Sequence, residues 1–284
     1  MGGSQSQKKE PLEDKPWREF DWGEKEALQR SLENFSVRNP EVNVRILVAG
    51  QIGAGKSSFI NSVNSAFQGK IVCEALADAT AGTSRSFTQR FQTFRIRHKN
   101  GELPFVFGDI MGLEAPSLSG LQVDDVISTI LGHVKENYIF NPVSPASVGD
   151  EGYKSDPSLQ EQTYCLVYIM AADKVSIMNQ GVIEKMQNIR EKATELDIPQ
   201  VIIMTKVDEA CPLVKDNLRK IYNSQKIKDK MQECCNLVGV PVSHIFPVKN
   251  YHEEIDPEDD IDVLLLRALS HIVNIANDKL AQKV

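Results

Sequence analysis

The segment Gly50-Gln51-Ile52-Gly53-Ala54-Gly55-Lys56-Ser57 lies between an apolar run over 43–49 and a helical pattern over 57–67. It has the form Gly, four free positions, Gly-Lys-Ser, which is the phosphate-binding loop pattern. The run NVRILVA before it predicts a buried strand, and the residues after it place apolar side chains on one helical face. The order strand, glycine loop, helix favours phosphate binding over a plain glycine turn.

The residue types of this loop suit a nucleoside polyphosphate. Glycines let successive backbone N–H groups point at phosphate oxygens, and the following helix N-terminus adds partial positive charge. Lys56 can reach the terminal phosphates, and the Ser57 hydroxyl can bind Mg²⁺. The residues that we predict to bind phosphate are Gly50, Gln51, Ile52, Gly53, Ala54, Gly55, Lys56, Ser57, Ser58 and Gly112.

A second element follows a strand predicted over 103–107, where Asp109-Ile110-Met111-Gly112 has the form Asp-x-x-Gly. Asp109 can hold Mg²⁺ and the Gly112 N–H can meet a γ-phosphate, although a strand-ending aspartate in a turn is the simpler alternative. We predict that Thr83 completes the metal site with Ser57 and Asp109. Thr80 and Thr88 are close alternatives to Thr83, because the surrounding loop has no fixed spacing.

The third element, Thr205-Lys206-Val207-Asp208, follows a buried strand predicted over 199–204. An aspartate here can accept hydrogen bonds from guanine N1–H and the exocyclic amine, which adenine does not offer. The stem of Lys206 can lie along the base, and Thr205 can tie the element to the phosphate loop. A polar strand-to-helix turn is the alternative. The residues that we predict to bind guanine are Thr205, Lys206, Asp208, Lys249 and Asn250, the last two through backbone N–H groups.

The three elements, set on alternating strands and helices, resemble the Ras-like G domain. We therefore predict an α/β fold of three layers, a P-loop NTPase with a mostly parallel sheet of about six strands and helices on both faces. The expected organisation is a flexible tail over 1–16, a helical lead-in over 17–40, the G domain over 41–279 and a tail over 280–284. An irregular insertion over 133–162 is either a functional cover or a mobile segment.

Composition narrows the class of protein. The net charge of -7 over 284 residues argues against a general nucleic-acid binder. The sequence contains no run of 18 apolar residues, so we predict no transmembrane segment. Five scattered cysteines without metal-site spacing and the lack of a secretory signal favour a cytoplasmic location. Gly2 with Ser6 fits the N-myristoylation pattern. A single acyl chain would give only weak membrane contact, and a plain flexible terminus is the alternative.

A narrower resemblance extends from about Phe35 to Asp278. The stretches that carry it are AGQIGAGKSSFINSV, LPFVFGDIMGLE, VDDVISTILGHVKENYIFNP, the element TKVD, and VKNYHEEIDPEDDIDVLLLRAL. They are similar to the interferon-induced protein 44 family. The resemblance implies a G domain that binds GTP or GDP with Mg²⁺ in a cytoplasmic, interferon-inducible antiviral response, with host immune-signalling proteins as partners.

Leu113 is the main departure from an efficient GTPase, because Ras-type enzymes carry a water-positioning glutamine after the Asp-x-x-Gly element. Arg85 is our candidate for a helper arginine, with a plain surface arginine as the alternative. The first hypothesis is a guanine-nucleotide switch with slow or partner-stimulated hydrolysis, including self-activation by a homodimer through the nucleotide face. The second is a scaffold that does not hydrolyse GTP. The element at 205–208 argues against the third, an ATPase or small-molecule kinase.

Overall fold

The computed structural model describes residues 13, 15–75, 90–99, 101–114 and 121–283. The strands in this part of the chain are β1 (Val44–Gly50), β2 (Gln92–His98), β3 (Gly101–Asp109), β4 (Thr163–Ala171), β5 (Gln200–Thr205) and β6 (Ile245–Pro247). Its α-helices are α1 (Lys25–Glu33), α2 (Lys56–Gln68), α3 (Val123–Leu131), α4 (Gln180–Glu195), α5 (Val207–Ala210), α6 (Pro212–Asp216), α7 (Gln225–Val238) and α8 (Asp259–Ala281).

The strands form one sheet in the order β2-β3-β1-β4-β5-β6. Only β2 runs antiparallel to its neighbour, and the remaining pairs are parallel. One group of helices, α1, α2 and α8, packs together against the sheet, and a second group, α3, α4 and α7, does the same. The α/β fold with a mostly parallel sheet of six strands, predicted from the sequence, is confirmed.

The central strands have the composition that two-sided burial requires. Every residue of β4 is buried, and β1 is buried at all but one position. Strands covered on both faces are continuous apolar runs rather than alternating ones. The runs NVRILVA over 43–49 and YCLVYIMA over 164–171 therefore both predict buried strands. Cys165 lies in β4, where burial raises the pKa of its thiol. Cys165 is a core residue, as its place in the apolar run over 164–171 predicts.

Two helices begin later than their apolar periodicity indicated. Apolar residues at helical spacing over 174–196 predict one helix from residue 174. The helix begins at Gln180 instead, because Asn179 caps it by accepting the Gly181 N–H at 2.8 Å. The charged segment over 215–238, followed by Gly239 and Pro241, likewise predicts a single helix. In the structure it is broken, and α7 starts only after Ser224. Asparagine and serine favour such caps because their side chains satisfy an N–H group of the first turn.

The ends of the described chain pack more closely than the expected tails. Glu13, inside the expected tail 1–16, pairs with Lys228 at 2.7 Å. At the other end, α8 continues to Ala281 and Leu280 is fully buried, within the segment 280–284 that we expected to be a tail. The ion pair of Glu13 and the burial of Leu280 show that the packed part of the chain extends beyond the expected boundaries.

The insertion over 133–162 lies along the open edge of the sheet. The Phe91 N–H donates to the Tyr138 carbonyl at 2.9 Å, and the Thr93 N–H donates to the Glu136 carboxylate at 3.2 Å. An uncovered edge strand presents unpaired backbone groups to other chains. The insertion therefore covers the start of this edge, beside the first residues of β2.

Asp125 of α3 holds the other side of the insertion. Its fully buried carboxylate accepts the Ala146 N–H at 2.8 Å and the Gln122 N–H at 3.3 Å. Burial raises the pKa of the Asp125 carboxyl, and these two N–H groups oppose the shift. The carboxylate thus joins α3 to the middle of the insertion.

Replacing Asp125 with alanine should lower the free energy of unfolding by about 1–3 kcal/mol, because the buried Ala146 N–H loses its acceptor. Urea denaturation measures this change. The matched control is Asp124→Ala, the exposed neighbour that pairs with Lys192 on the surface, for which we expect a change within about 0.5 kcal/mol. Equal losses in both variants would contradict an anchoring role for Asp125.

Candidate functional site

The glycine loop connects the end of β1 to the start of α2. Gly55 has a φ of 91°, a left-handed conformation that favours glycine, and it lets the chain turn directly into the helix. Lys56 is buried, and its Nζ atom lies 3.4 Å from the carbonyl oxygens of Gly50 and Gln51. The lysine side chain therefore lies over the loop, where a cation can meet bound phosphates.

Ser57 and Asp109 meet beside this loop. The Ser57 hydroxyl donates to the Asp109 carboxylate at 2.7 Å, and both side chains are buried. Asp109 comes close because β3 runs parallel to β1, with Asp109 in register with Val48. Hydroxyl and carboxylate oxygens are the ligands that Mg²⁺ prefers, so this pair fits a magnesium site. The other predicted members of the switch region, Thr80, Thr83, Arg85 and Thr88, lie outside the described residues.

The Asp-x-x-Gly segment packs directly on the glycine loop. A Cβ atom at Gly112 would lie 2.6 Å from Cγ1 of Ile52, so only glycine allows this approach. The next residue, Leu113, donates its N–H to the Gly50 carbonyl at 2.9 Å, and its side chain is 1% exposed. The sequence showed that Leu113 cannot orient water. It did not show that this side chain belongs to the core.

Thr205 joins the third element to the loop. Its hydroxyl donates to the Ala54 carbonyl at 2.6 Å, and the residue is fully buried at the end of β5. Lys206 follows in a left-handed conformation, with a φ of 57°, and Asp208 lies half-buried in the short helix α5. Thr205, one of the five residues predicted to bind guanine, is therefore bonded directly to the phosphate loop, and Lys206 and Asp208 follow it in the chain.

The segment after β6 approaches from the same side. The side-chain amide of Asn250 donates to the Gly55 carbonyl at 3.1 Å. Only the backbone of this segment was expected to take part, so the sequence missed the contact. No local pattern announces it, because the two residues are 195 positions apart. The Lys249 ammonium group pairs with Glu254 at 2.6 Å.

Glu254 stabilises the conformation of this last segment. Its carboxylate accepts the His252 N–H at 2.8 Å in addition to the bond from Lys249. Burial alone would raise the pKa of Glu254, but these bonds hold it at about 2. The carboxylate is therefore charged in the folded chain at any pH above this value.

The folded-state pKa of about 2 lies below the ordinary value of 4.5, so the stabilisation from Glu254 is complete above about pH 4.5 and is lost as the pH falls toward 2. We expect Glu254→Gln to unfold more easily than wild type by about 1–2 kcal/mol near pH 7, since solvent screens part of the interaction that lowers the pKa. This difference should shrink between pH 4.5 and 2, as measured by denaturant unfolding. The control is Glu253→Gln, whose side chain is 89% exposed. A difference that does not depend on pH would contradict the charge-based explanation.

In the part of the chain that the structure describes, no helix combines the length and the apolar character needed to cross a membrane.

The parallel sheet, the glycine loop with its buried lysine, and the Ser57–Asp109 pair define the class of protein: an α/β P-loop domain of the Ras-like G-domain type. Interferon-induced protein 44 of Homo sapiens is 33% identical over 238 residues, which are 83% of this chain and 52% of that protein. Interferon-induced protein 44-like of Homo sapiens is 29% identical over 237 residues, again 83% of this chain and 52% of that protein. Over these residues the chain is homologous to the interferon-induced protein 44 family, which confirms the resemblance.

The chain spans about half the length of the curated relatives it matches. No family model matches it. Among solved structures, a dimerisation-deficient mutant of Toc33 from Arabidopsis thaliana is 12% identical with a TM-score of 0.49, covering 91% of this chain and 97% of its own. A probable GTP-binding protein engB is 14% identical with a TM-score of 0.43, covering 83% and 99% respectively.

Proposed function

We propose that this chain binds GTP and GDP with Mg²⁺ and acts as a guanine-nucleotide switch with slow or partner-stimulated hydrolysis. The observation that carries the proposal is the convergence of three distant segments at one edge of the sheet. Asp109 meets Ser57 beside the glycine loop, and Thr205 bonds the same loop at Ala54. Ligands of open α/β sheets bind outside the carboxyl ends of the strands, which is where these residues lie.

The phosphate side of the site follows from the buried polar groups. Lys56 and the N-terminus of α2 would attract the phosphates, and the Ser57 hydroxyl and Asp109 carboxylate would hold Mg²⁺. When bound, the metal ion neutralises charge on the phosphate oxygens. Thr83 is proposed as the third metal ligand.

The base side rests on Asp208. A half-buried carboxylate three residues after Thr205 can accept two hydrogen bonds from guanine, whereas adenine would leave it without donors. The Lys206 stem would lie along the base. Thr205, fixed to Ala54, would hold this element at a constant distance from the phosphates.

A second candidate function is a scaffold that keeps the nucleotide without hydrolysing it, and Leu113 favours it. The side chain at this position is buried in the core, so hydrolysis would need a residue from elsewhere. Arg85, a partner protein, or a second copy of the chain docked through the nucleotide face are the proposed sources.

The cellular role is proposed from the relatives, whose names describe interferon-induced proteins. On this basis the chain would take part in the cytoplasmic innate antiviral response with host immune-signalling partners. Weak membrane contact would be added if Gly2 is acylated.

Nucleotide titrations test the proposal. Wild type should bind GDP in the micromolar range or tighter with Mg²⁺, and ATP at least about 100-fold more weakly, because Asp208 would lack donors. Lys56→Ala should lose affinity for all nucleotides. Asp208→Asn should lose GDP and gain xanthosine diphosphate, since xanthine has a carbonyl where guanine has the amine. Calorimetry or a fluorescent nucleotide measures these affinities.

The gain of xanthosine diphosphate binding by Asp208→Asn is the internal control, because an unfolded variant would bind neither nucleotide. Absence of guanine binding by wild type would refute the proposal. Turnover is then measured over a range of protein concentrations. Binding without turnover at any concentration would favour the scaffold, and a rate per molecule that rises with concentration would indicate activation by a homodimer.

Introducing glutamine at position 113 should not raise the rate of GTP hydrolysis. Because the side chain is buried, Leu113→Gln should lower the free energy of unfolding by about 1–3 kcal/mol and leave turnover unchanged. Leu113→Met, which conserves volume, is the control and should change stability by less than about 1.5 kcal/mol. Denaturant unfolding and phosphate release measure the two effects. A tenfold gain in turnover for the glutamine variant would show that position 113 reaches the γ-phosphate after all.

A further inference from the structure

Two consecutive carbonyl groups of the phosphate loop accept hydrogen bonds from the segments around Thr205 and Asn250, which we call the base side of the site. The Thr205 hydroxyl donates to Ala54, and the Asn250 amide donates to Gly55. Ala54 and Gly55 are the last residues before α2 begins at Lys56. Their orientation therefore sets the direction of the N–H groups that enter the helix.

The Asn250 amide occupies space that only a glycine leaves open. A Cβ atom at Gly55 would lie 2.9 Å from the Asn250 nitrogen, closer than real Cβ contacts allow. Because a carbonyl can only accept, the amide nitrogen must face Gly55 and the Oδ1 atom must point elsewhere. Among the described residues, this buried Oδ1 atom has no hydrogen-bond partner. A buried acceptor without a partner is rare in folded chains except where a ligand or water completes it.

The neighbouring residue fixes the position of Asn250. The Tyr251 N–H donates to the Ser62 hydroxyl of α2 at 2.9 Å, and the Tyr251 hydroxyl donates to the buried Asp262 carboxylate of α8 at 2.6 Å. Asp262 also pairs with Lys25 of α1 at 2.7 Å. Asn250 thus projects from a segment that is bonded to α2 directly and to α8 and α1 through one carboxylate.

We propose that Asn250 is a positioning residue, which ties the C-terminal end of the phosphate loop to the base-side segment through its bond to Gly55. With Thr205 it makes the two halves of the site one rigid unit, so the loop is ordered before a nucleotide binds. Its effect on nucleotide affinity rests on the proposed function. The bond from Asn250 to Gly55, which we call the tether, is present in the nucleotide-free chain, so its effect on the loop can be measured without a nucleotide.

The test compares Asn250→Ala and Asn250→Asp with the control His252→Ala, two residues on, whose side chain is 85% exposed. The aspartate keeps the volume of asparagine but cannot donate to Gly55. Hydrogen exchange of the amides over 52–56 in nucleotide-free protein should rise about fivefold or more in both Asn250 variants. The GDP dissociation rate should rise by a similar factor. The control should match wild type in both measurements.

Exchange in β4 serves as the internal reference. A rise confined to the loop supports the tether, and a rise that extends through β4 would indicate general loosening and overturn it. Wild-type exchange in both variants would overturn it as well, even if GDP binds. Wild-type behaviour of Asn250→Asp alone would show that packing, not the hydrogen bond, matters. If wild type fails to bind GDP, the proposed function fails, while the exchange data still decide whether Asn250 holds the loop.

Discussion

The arrangement of the site depends on how closely β1 approaches β4 at Gly50. A Cβ atom there would lie 2.3 Å from the carbonyl oxygen of Ile169, and the φ of 156° is one that residues with side chains rarely adopt. On its other side the Gly50 carbonyl accepts the Leu113 N–H. Any side chain at Gly50 would push β4 away and shift the origin of the phosphate loop, so this residue sets the position of everything that follows.

The parallel topology of the sheet brings the other residues of the site next to this loop. Strands β1, β3, β5 and β6 end at the same edge of the sheet, so four segments that are distant in sequence deliver their polar residues to one place. Lys56 and Asp109 are there almost fully buried, at 6% and 1% exposure. Burying charged groups costs solvation free energy that structural side chains seldom justify. The proposed metal–nucleotide complex, which carries both negative phosphates and a cation, would compensate both buried charges, whereas a plain structural role would not.

The sequence predicted the parts of this molecule that depend on local pattern. Buried strands such as β4 are continuous apolar runs, and the glycine loop has fixed spacing, so fold and phosphate loop could both be recognised. The late starts of two helices were missed because single caps, Asn179 and Ser224, override apolar periodicity. The bond from Asn250 to Gly55 was beyond reach, since it depends on the tertiary approach of residues far apart in the chain.

Leu113 shows the same limit in a functional context. The sequence shows only that Leu113 stands where Ras-type enzymes carry the water-positioning glutamine. The structure shows that Leu113 also has a structural role. Its buried side chain and its N–H bond to Gly50 both hold the Asp-x-x-Gly segment against the phosphate loop. A side chain at this position lies in the core, so it is not placed to contact an attacking water. The fold therefore assigns position 113 to holding the segment, and any hydrolytic group has to approach from a different element or a different molecule.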